Sequence, residues 1–136
     1  MPTNINKENQ ALLTQPGTVV LKFQAEWCGP CKAYAATFNS VAKKLEDTAT
    51  FLTVDIEEFP ELAKTYYVRS IPATVILKNG VEVDKRIGNL TEFQLVNLIA
   101  WSFQYETMSS NSRKIEMDYG TRPESNIQTS TWWDWS

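Results

Sequence analysis

The stretch Thr18-Val-Val-Leu-Lys-Phe-Gln-Ala-Glu-Trp-Cys-Gly-Pro-Cys-Lys-Ala-Tyr34 decides how this chain reads. Its first seven residues, 18–24, form a β-branched and aliphatic run of strand length, apolar enough to be a central parallel strand buried on both faces. From Pro30 to Leu45 the apolar residues change period. Tyr34, Phe38, Val41, Ala42 and Leu45 fall on one face of a helix. A strand, a Cys-x-x-Cys pair and a helix therefore follow one another directly, which makes a βα unit with two thiols at its turn.

The pattern continues outward. Residues 50–56 read as the next strand, and Pro60 suits the first position of a helix that continues through Glu61, Leu62 and Ala63. The βαβ element this completes is expected to cross over right-handedly. Ala73 to Lys78 and Val81 to Ile87 flank Asn79-Gly80, a dipeptide suited to the positive φ angles of a two-residue antiparallel hairpin. Gly88 interrupts. Thr91 with Gln94 then forms a capping box before an apolar face of Phe93, Val96, Ile99, Ala100 and Phe103 on a closing helix. Towards the start, Ile5 reads as a strand stub, and Asn6 as the cap of a short helix reaching Leu13 before the Pro16-Gly17 turn. The fold class is α/β: a central mixed β-sheet flanked by helices, with a βαβ unit followed by a β-hairpin and a C-terminal helix.

The whole chain has 136 residues, room for one compact domain. Composition shifts near Gln104, so residues 1–104 are read as the domain and 105–136 as a polar C-terminal extension, ending in a Trp cluster. Trp132, Trp133 and Trp135 are efficient contact residues and suggest docking, onto this domain or onto a partner, the plain alternative being a polar tail with no role. The first ten residues lack the basic cluster and apolar run of a secretory signal, and no stretch has the length of a membrane span, so a cytoplasmic protein without a membrane partner is expected.

Histidine is absent, which removes Ser-His-Asp and Cys-His catalysis and histidine metal ligation. Thirteen basic and sixteen acidic residues give a net charge of -3, and no basic cluster exceeds a pair, so nucleic-acid binding through charge is disfavoured. The two cysteines are too few for a structural zinc cage or a multi-bridge scaffold, and no metal is expected.

A thiol at a helix N-terminus meets unpaired backbone N–H groups and the positive end of the helix dipole, which lower its pKa. Cys28 is thus the better nucleophile. Cys31, one turn into the helix and more enclosed, is close enough to close a disulfide ring and is the natural resolving thiol. Gly29 and Pro30 suit the tight start of the helix. Half a zinc site and chance are the plain alternatives for such a pair; the missing further ligands and the strand-motif-helix order weigh against them.

Together, Trp27-Cys28-Gly29-Pro30-Cys31-Lys32, Arg69-Ser70-Ile71-Pro72, Lys78-Asn79-Gly80 and Ile87-Gly88 resemble the thioredoxin family, from about Gly17 to Gln104. The resemblance implies a thioredoxin fold and a dithiol that reduces protein disulfides, with Cys28 attacking and Cys31 resolving the mixed disulfide. It implies disulfide-containing protein substrates, recharging by the flavoenzyme thioredoxin reductase, and no bound cofactor. It also implies a cis Ile71-Pro72 bond, whereas an Ile-Pro pair taken alone is more often trans. Pro72 has no N–H, which keeps a metal or competing donor from the dithiol, and the strand edge there suits an extended substrate backbone. Trp27, Ser70, Ile71, Pro72, Ile87 and Gly88 are the implied substrate-binding residues, and Gly29, Pro30 and Pro72 the implied tuning residues.

The chain departs from the family pattern at several places. Lys22 stands where the family usually carries a buried Asp behind the second cysteine, and Thr53 where it carries a partner Lys. Burial lowers a lysine's pKa and a thiolate raises it; Lys22 either stabilises the thiolate, giving a more oxidising couple, or snorkels to solvent with no redox role. Gln24 replaces an aromatic, and Glu57 is the expected acceptor of its amide. Ala36 replaces a helix-kinking proline, so a straighter helix is expected. A protein-disulfide reductase is the leading reading. A thiol oxidase or isomerase, favoured by Lys22, and a thioredoxin-fold binding subunit using the Trp-rich extension are the alternatives.

Overall fold

A computed structural model describes residues 2–115, with side chains through Phe103. The expected docking through Trp132, Trp133 and Trp135 lies outside the described residues. Five strands, β1 (Thr3–Asn4), β2 (Thr18–Gln24), β3 (Thr50–Asp55), β4 (Ala73–Lys78) and β5 (Val81–Ile87), form one sheet in the order β1-β3-β2-β4-β5. β1 and β2 pair parallel to β3, whereas β2 with β4 and β4 with β5 are antiparallel. The helices are α1 (Gly29–Lys44), α2 (Pro60–Thr65) and α3 (Glu92–Ile115).

β2 is central because its alternate residues are apolar on both faces. Val19, Leu21 and Phe23 join Leu62 of α2 in one core, and Val20 joins Tyr34, Phe38 and Val41 of α1 and Leu95, Leu98 and Ile99 of α3 in the other. The hairpin turn has φ of 53° at Asn79 and 85° at Gly80, the two positive angles that its sequence anticipates. The Asn79 side-chain oxygen also accepts the Gly17 N–H at 2.7 Å, and Asn79 N–H returns to Gly17 O at 3.0 Å, which ties the turn to the start of β2. α1 runs unbroken through Ala36, where no proline removes a ladder bond.

Three details differ from the sequence reading. First, Asn6 caps a turn and not a helix: its side-chain oxygen accepts from the N–H groups of Glu8 and Asn9, and a 3₁₀ helix, Gln10–Thr14, follows. Second, the capping box of α3 forms, Gln94 N–H to Thr91 Oγ1 and Thr91 N–H to Gln94 Oε1, but the buried face is Leu95, Leu98, Ile99 and Ser102. Phe93 is 75% exposed. Apolar residues surround this helix, so periodicity alone does not say which stripe meets the sheet; Ser102 joins the buried one by donating its hydroxyl to Ile99 O at 2.5 Å. Third, α3 continues past Gln104 to Ile115 through a segment without Gly or Pro. Among the described residues, those up to Ser102 group as one compact unit.

α2 ends on an unglycinated left-handed cap. Tyr67, φ 56°, donates its N–H to Lys64 O at 3.1 Å, and Val68 N–H reaches Ala63 O at 2.8 Å, the paired closure in which glycine usually takes the left-handed place. Lys85 Nζ donates to the carbonyls of Tyr66 and Tyr67 at 2.9 and 3.2 Å and holds the strained residue there. Tyr67→Gly is expected to stabilise the fold by about 1 kcal/mol in urea denaturation, since the left-handed penalty disappears. A net loss would mean that the ring's contact with Lys85 outweighs the backbone relief.

Candidate active site

β2 ends at Gln24, and the chain turns through Ala25 and Trp27 before α1 begins at Gly29. Cys28 is the N-cap of α1, with extended dihedrals of -89° and 109°. Its Sγ accepts the Cys31 backbone N–H at 3.1 Å. One of the orphan N–H groups of the helix therefore points at this sulfur, and a negative charge there is stabilised by hydrogen bond and dipole together. The two sulfurs are joined as a disulfide with Cα atoms 5.2 Å apart. Exposure does not separate the two thiols as the sequence reading expects: Cys28 is 5% and Cys31 3% accessible. The asymmetry lies in the hydrogen bond at the cap.

Pro30 occupies the first turn, where no intrahelical N–H is missed. Gly29 is not required by geometry: its φ is not left-handed, and a Cβ there would meet nothing within 4 Å. Gly29→Ala is accordingly expected to keep the fold and add up to about 1 kcal/mol of stability by thermal or urea denaturation, through the better helix propensity of Ala. Destabilisation would show that the glycine is needed for the turn itself.

The Ile71–Pro72 bond is cis. Pro72 O accepts Gly88 N–H at 2.7 Å, and Gly88 has φ +99°, so glycine is needed at this place. Ile71 packs on the Cys28, Cys31 and Ala25 cluster while staying half-buried, and Ser70 is exposed. Trp27 is 65% and Ile87 51% exposed, more than ordinary partly buried packing allows for such large apolar side chains. The Trp27 indole N–H donates to Glu57 Oε2 at 2.5 Å, and Glu57 N–H is held by Asp55 Oδ1 at 2.8 Å. Glu57 is thus engaged by Trp27 and not by the Gln24 amide; the Gln24 backbone carbonyl accepts the Ile56 N–H. The pairing spans thirty positions of chain and leaves no local sequence signal.

Lys22 does not snorkel. It is 2% exposed, between Thr53 and Thr74 in the register of the sheet, with Nζ 4.9 Å from the centroid of the Phe38 ring and 6.0 Å from that of Tyr34. Among the described residues it has no ion pair and no hydrogen bond to Cys31. Burial lowers its pKa from 10.5 to about 8. The hydroxyl of Tyr34 shares a hydrogen bond of 2.7 Å with Thr74 Oγ1, and burial pushes the phenol up to about 12. Thr53 donates its hydroxyl to Asn4 Oδ1. The sequence reading places Tyr34 only on an apolar helix face and misses this polar rung. Among the described residues, no group of three or more Cys, Asp or Glu side chains is placed to hold a metal, and no helix is long and apolar enough to cross a membrane.

The chain that carries this helix-capping thiol, cis-proline and exposed apolar rim is similar to known proteins along most of its length. The Thioredoxin family model matches residues 2–101. The chain belongs to the thioredoxin family. It is 38% identical to thioredoxin of Mycoplasmoides gallisepticum over 92 residues, 68% of this chain and 91% of that one. With thioredoxin of Chlamydia trachomatis the identity is 38% over 96 residues, 71% and 93% of the two chains. Among solved structures, Malassezia sympodialis thioredoxin aligns with a TM-score of 0.66 at 29% identity, covering 74% of this chain and 90% of that one. As a thioredoxin-family protein with its Cys-x-x-Cys pair at bonding distance, the chain is a thiol-disulfide oxidoreductase of the protein-disulfide reductase type, and its substrate class is disulfide-containing protein.

Proposed function

We propose that Cys28 is the attacking thiolate and Cys31 the resolving thiol in the reduction of protein disulfides. The Cys28 thiolate displaces one substrate sulfur as a thiolate and forms a mixed disulfide. Cys31, deprotonated, then attacks Cys28 Sγ; the second substrate sulfur leaves and takes up a proton, and the Cys28–Cys31 disulfide remains. Two electrons pass from the pair to the substrate. The single observation that carries this assignment is the Cys31 N–H donated to Cys28 Sγ at the N-cap, which favours charge on the first sulfur.

Trp27, Ile71 and Ile87 supply apolar contact for the substrate, while Ser70, Pro72 and Gly88 line the extended backbone beside it. The cytoplasm and recharging by thioredoxin reductase complete the reading, with residues 1–104 as the redox domain and 105–136 as an extension outside it. Insulin reduction driven by dithiothreitol tests it: the natural chain accelerates the reaction, and Cys28→Ser falls to the uncatalysed rate. Unchanged turnover in Cys28→Ser would leave the fold as an interaction platform. Lys22 favours a second reading of direction, a couple more oxidising than one with Asp there. A redox potential that does not fall in Lys22→Asp removes it.

A further inference from the structure

We propose that the outward face of α3 is a pairing surface for a second copy of this chain, the two helices lying antiparallel about a two-fold axis between Val96 and Asn97. The proposal stands apart from the reductase reading, since neither the dithiol nor its rim takes part.

α3 buries Leu95, Leu98 and Ile99 in the core that it shares with α1 and the sheet. At about 100° per residue, Phe93, Val96, Asn97 and Ala100 fall on the opposite side of the helix, and all four are exposed. Phe93 is 75% exposed, and Trp101, which flanks this stripe, 59%. Trp101 and Asn97 also line an open groove of about 300 Å³ together with Arg86 and Leu90. Single apolar side chains are ordinary on a surface, whereas a continuous stripe with two aromatics marks an interaction face.

Charge, shape and area favour a second copy as the occupant. From Thr91 to Phe103 the one charged residue is Glu92, and Lys44 pairs with it at 2.7 Å. At the groove Arg86 pairs with Asp84 at 2.7 Å. A chain of net charge -3 that meets itself here does so on a neutral face, and no unpaired charge is buried.

The stripe is also complementary to itself. In an antiparallel pair centred between residues 96 and 97, Phe93 of each copy stands opposite Ala100 of the other, a large side chain over a small one, twice by symmetry. A parallel pair would set Phe93 on Phe93 and leave Ala100 facing Ala100. In the antiparallel pair Asn97 lies at the axis, where two amides donate and accept reciprocally and fix the register. At roughly 150–250 Å² per aromatic side chain, Phe93 and Trp101 present ~300 Å² per copy at these exposures, or ~600 Å² across the pair. Stable interfaces begin near ~1,200 Å² in total. The aromatics supply about half of that, and the remainder falls to Val96, Ala100 and the polar margin of Gln94 and Asn97. The pair therefore belongs at the weak end of the range, half-formed at ~10–100 µM.

Sedimentation equilibrium of the full chain from ~5 to ~500 µM spans that range, and the average mass is expected to rise towards twice that of one chain. Phe93→Ala removes the large side chain and Ala100→Phe fills the space that receives it, so each variant alone should pair at least about tenfold more weakly. Mixed in equal amounts, the two variants should pair as tightly as the natural chain: one crossing keeps the natural Phe93–Ala100 contact and the other carries it reversed. A natural chain that stays monomeric throughout overturns the proposal, whatever either substitution does to folding, and leaves the stripe to another protein or another segment of this chain. A dimer that Phe93→Ala leaves untouched overturns it too, because the contact then lies elsewhere, and so does a mixture that fails to recover. Both variants are expected to reduce insulin at the natural rate, which checks that they fold.

Discussion

Cys31→Ser is expected to turn a catalyst into a trap: offered a disulfide protein, it should accumulate as a covalent adduct through Cys28. The first displacement needs only the thiolate at the N-cap, whose Sγ already receives the Cys31 backbone N–H; serine retains that N–H. The second displacement loses its nucleophile. In the natural chain the two Cα atoms are 5.2 Å apart, so the resolving sulfur attacks intramolecularly. Well-oriented intramolecular groups reach effective molarities on the order of 10⁵ M or more, far beyond a millimolar external thiol. The adduct should therefore outlive the natural intermediate by at least about 10²-fold, and turnover should fall by a comparable factor. Mass spectrometry after acid quenching reads the adduct directly. The mirror variant, Cys28→Ser, leaves only the sulfur inside the helix, which lacks the N-cap hydrogen bond that favours a thiolate, and should form little adduct. The reverse pattern, adduct in Cys28→Ser and none in Cys31→Ser, would interchange the two roles.

Much of this site is local in sequence, and that is why it could be read there. The βαβ unit announces itself through a change of period, from the continuous apolar run of 18–24 to the three-and-four spacing of Tyr34, Phe38 and Val41. Asn79-Gly80 marks its turn because few other dipeptides accept two positive φ angles. The misses share a cause. α3 is apolar on more than one side, so only the sheet's shape selects Leu95, Leu98 and Ile99 over Phe93 and Val96. Tyr67 takes a place normally marked by glycine, held by a lysine from another strand. The pairs Trp27–Glu57 and Tyr34–Thr74 join residues thirty or more positions apart, and single-chain periodicity carries no information about such partners. Lys22 lies between these cases: its place in an apolar strand is visible in the sequence, but its seat against Phe38, without a carboxylate partner among the described residues, follows only from packing.

That seat has a thermodynamic consequence apart from catalysis. Lys22→Met, which keeps a long unbranched side chain while removing the charge, is expected to stabilise the oxidised protein at pH 7 by about 1–3 kcal/mol. The folded pKa is about 8 and the unfolded reference 10.5, so between these values the unfolded chain holds a proton that the native chain lacks. Stability rises with pH wherever the unfolded state binds more protons, and this group therefore costs most below pH 8 and progressively less up to pH 10.5. The full span is about 3 kcal/mol at 1.36 kcal/mol per pKa unit, part of which the Phe38 and Tyr34 ring faces return. Methionine removes the penalty and fills the same apolar space. Urea unfolding of both proteins should accordingly show a gap that is widest near pH 7 and nearly closed at pH 10.5, with titrations common to both chains cancelling in the difference. A gap that stays constant with pH would mean that Lys22 titrates alike in the folded and unfolded chain, and that its amine reaches water despite the 2% exposure of the residue.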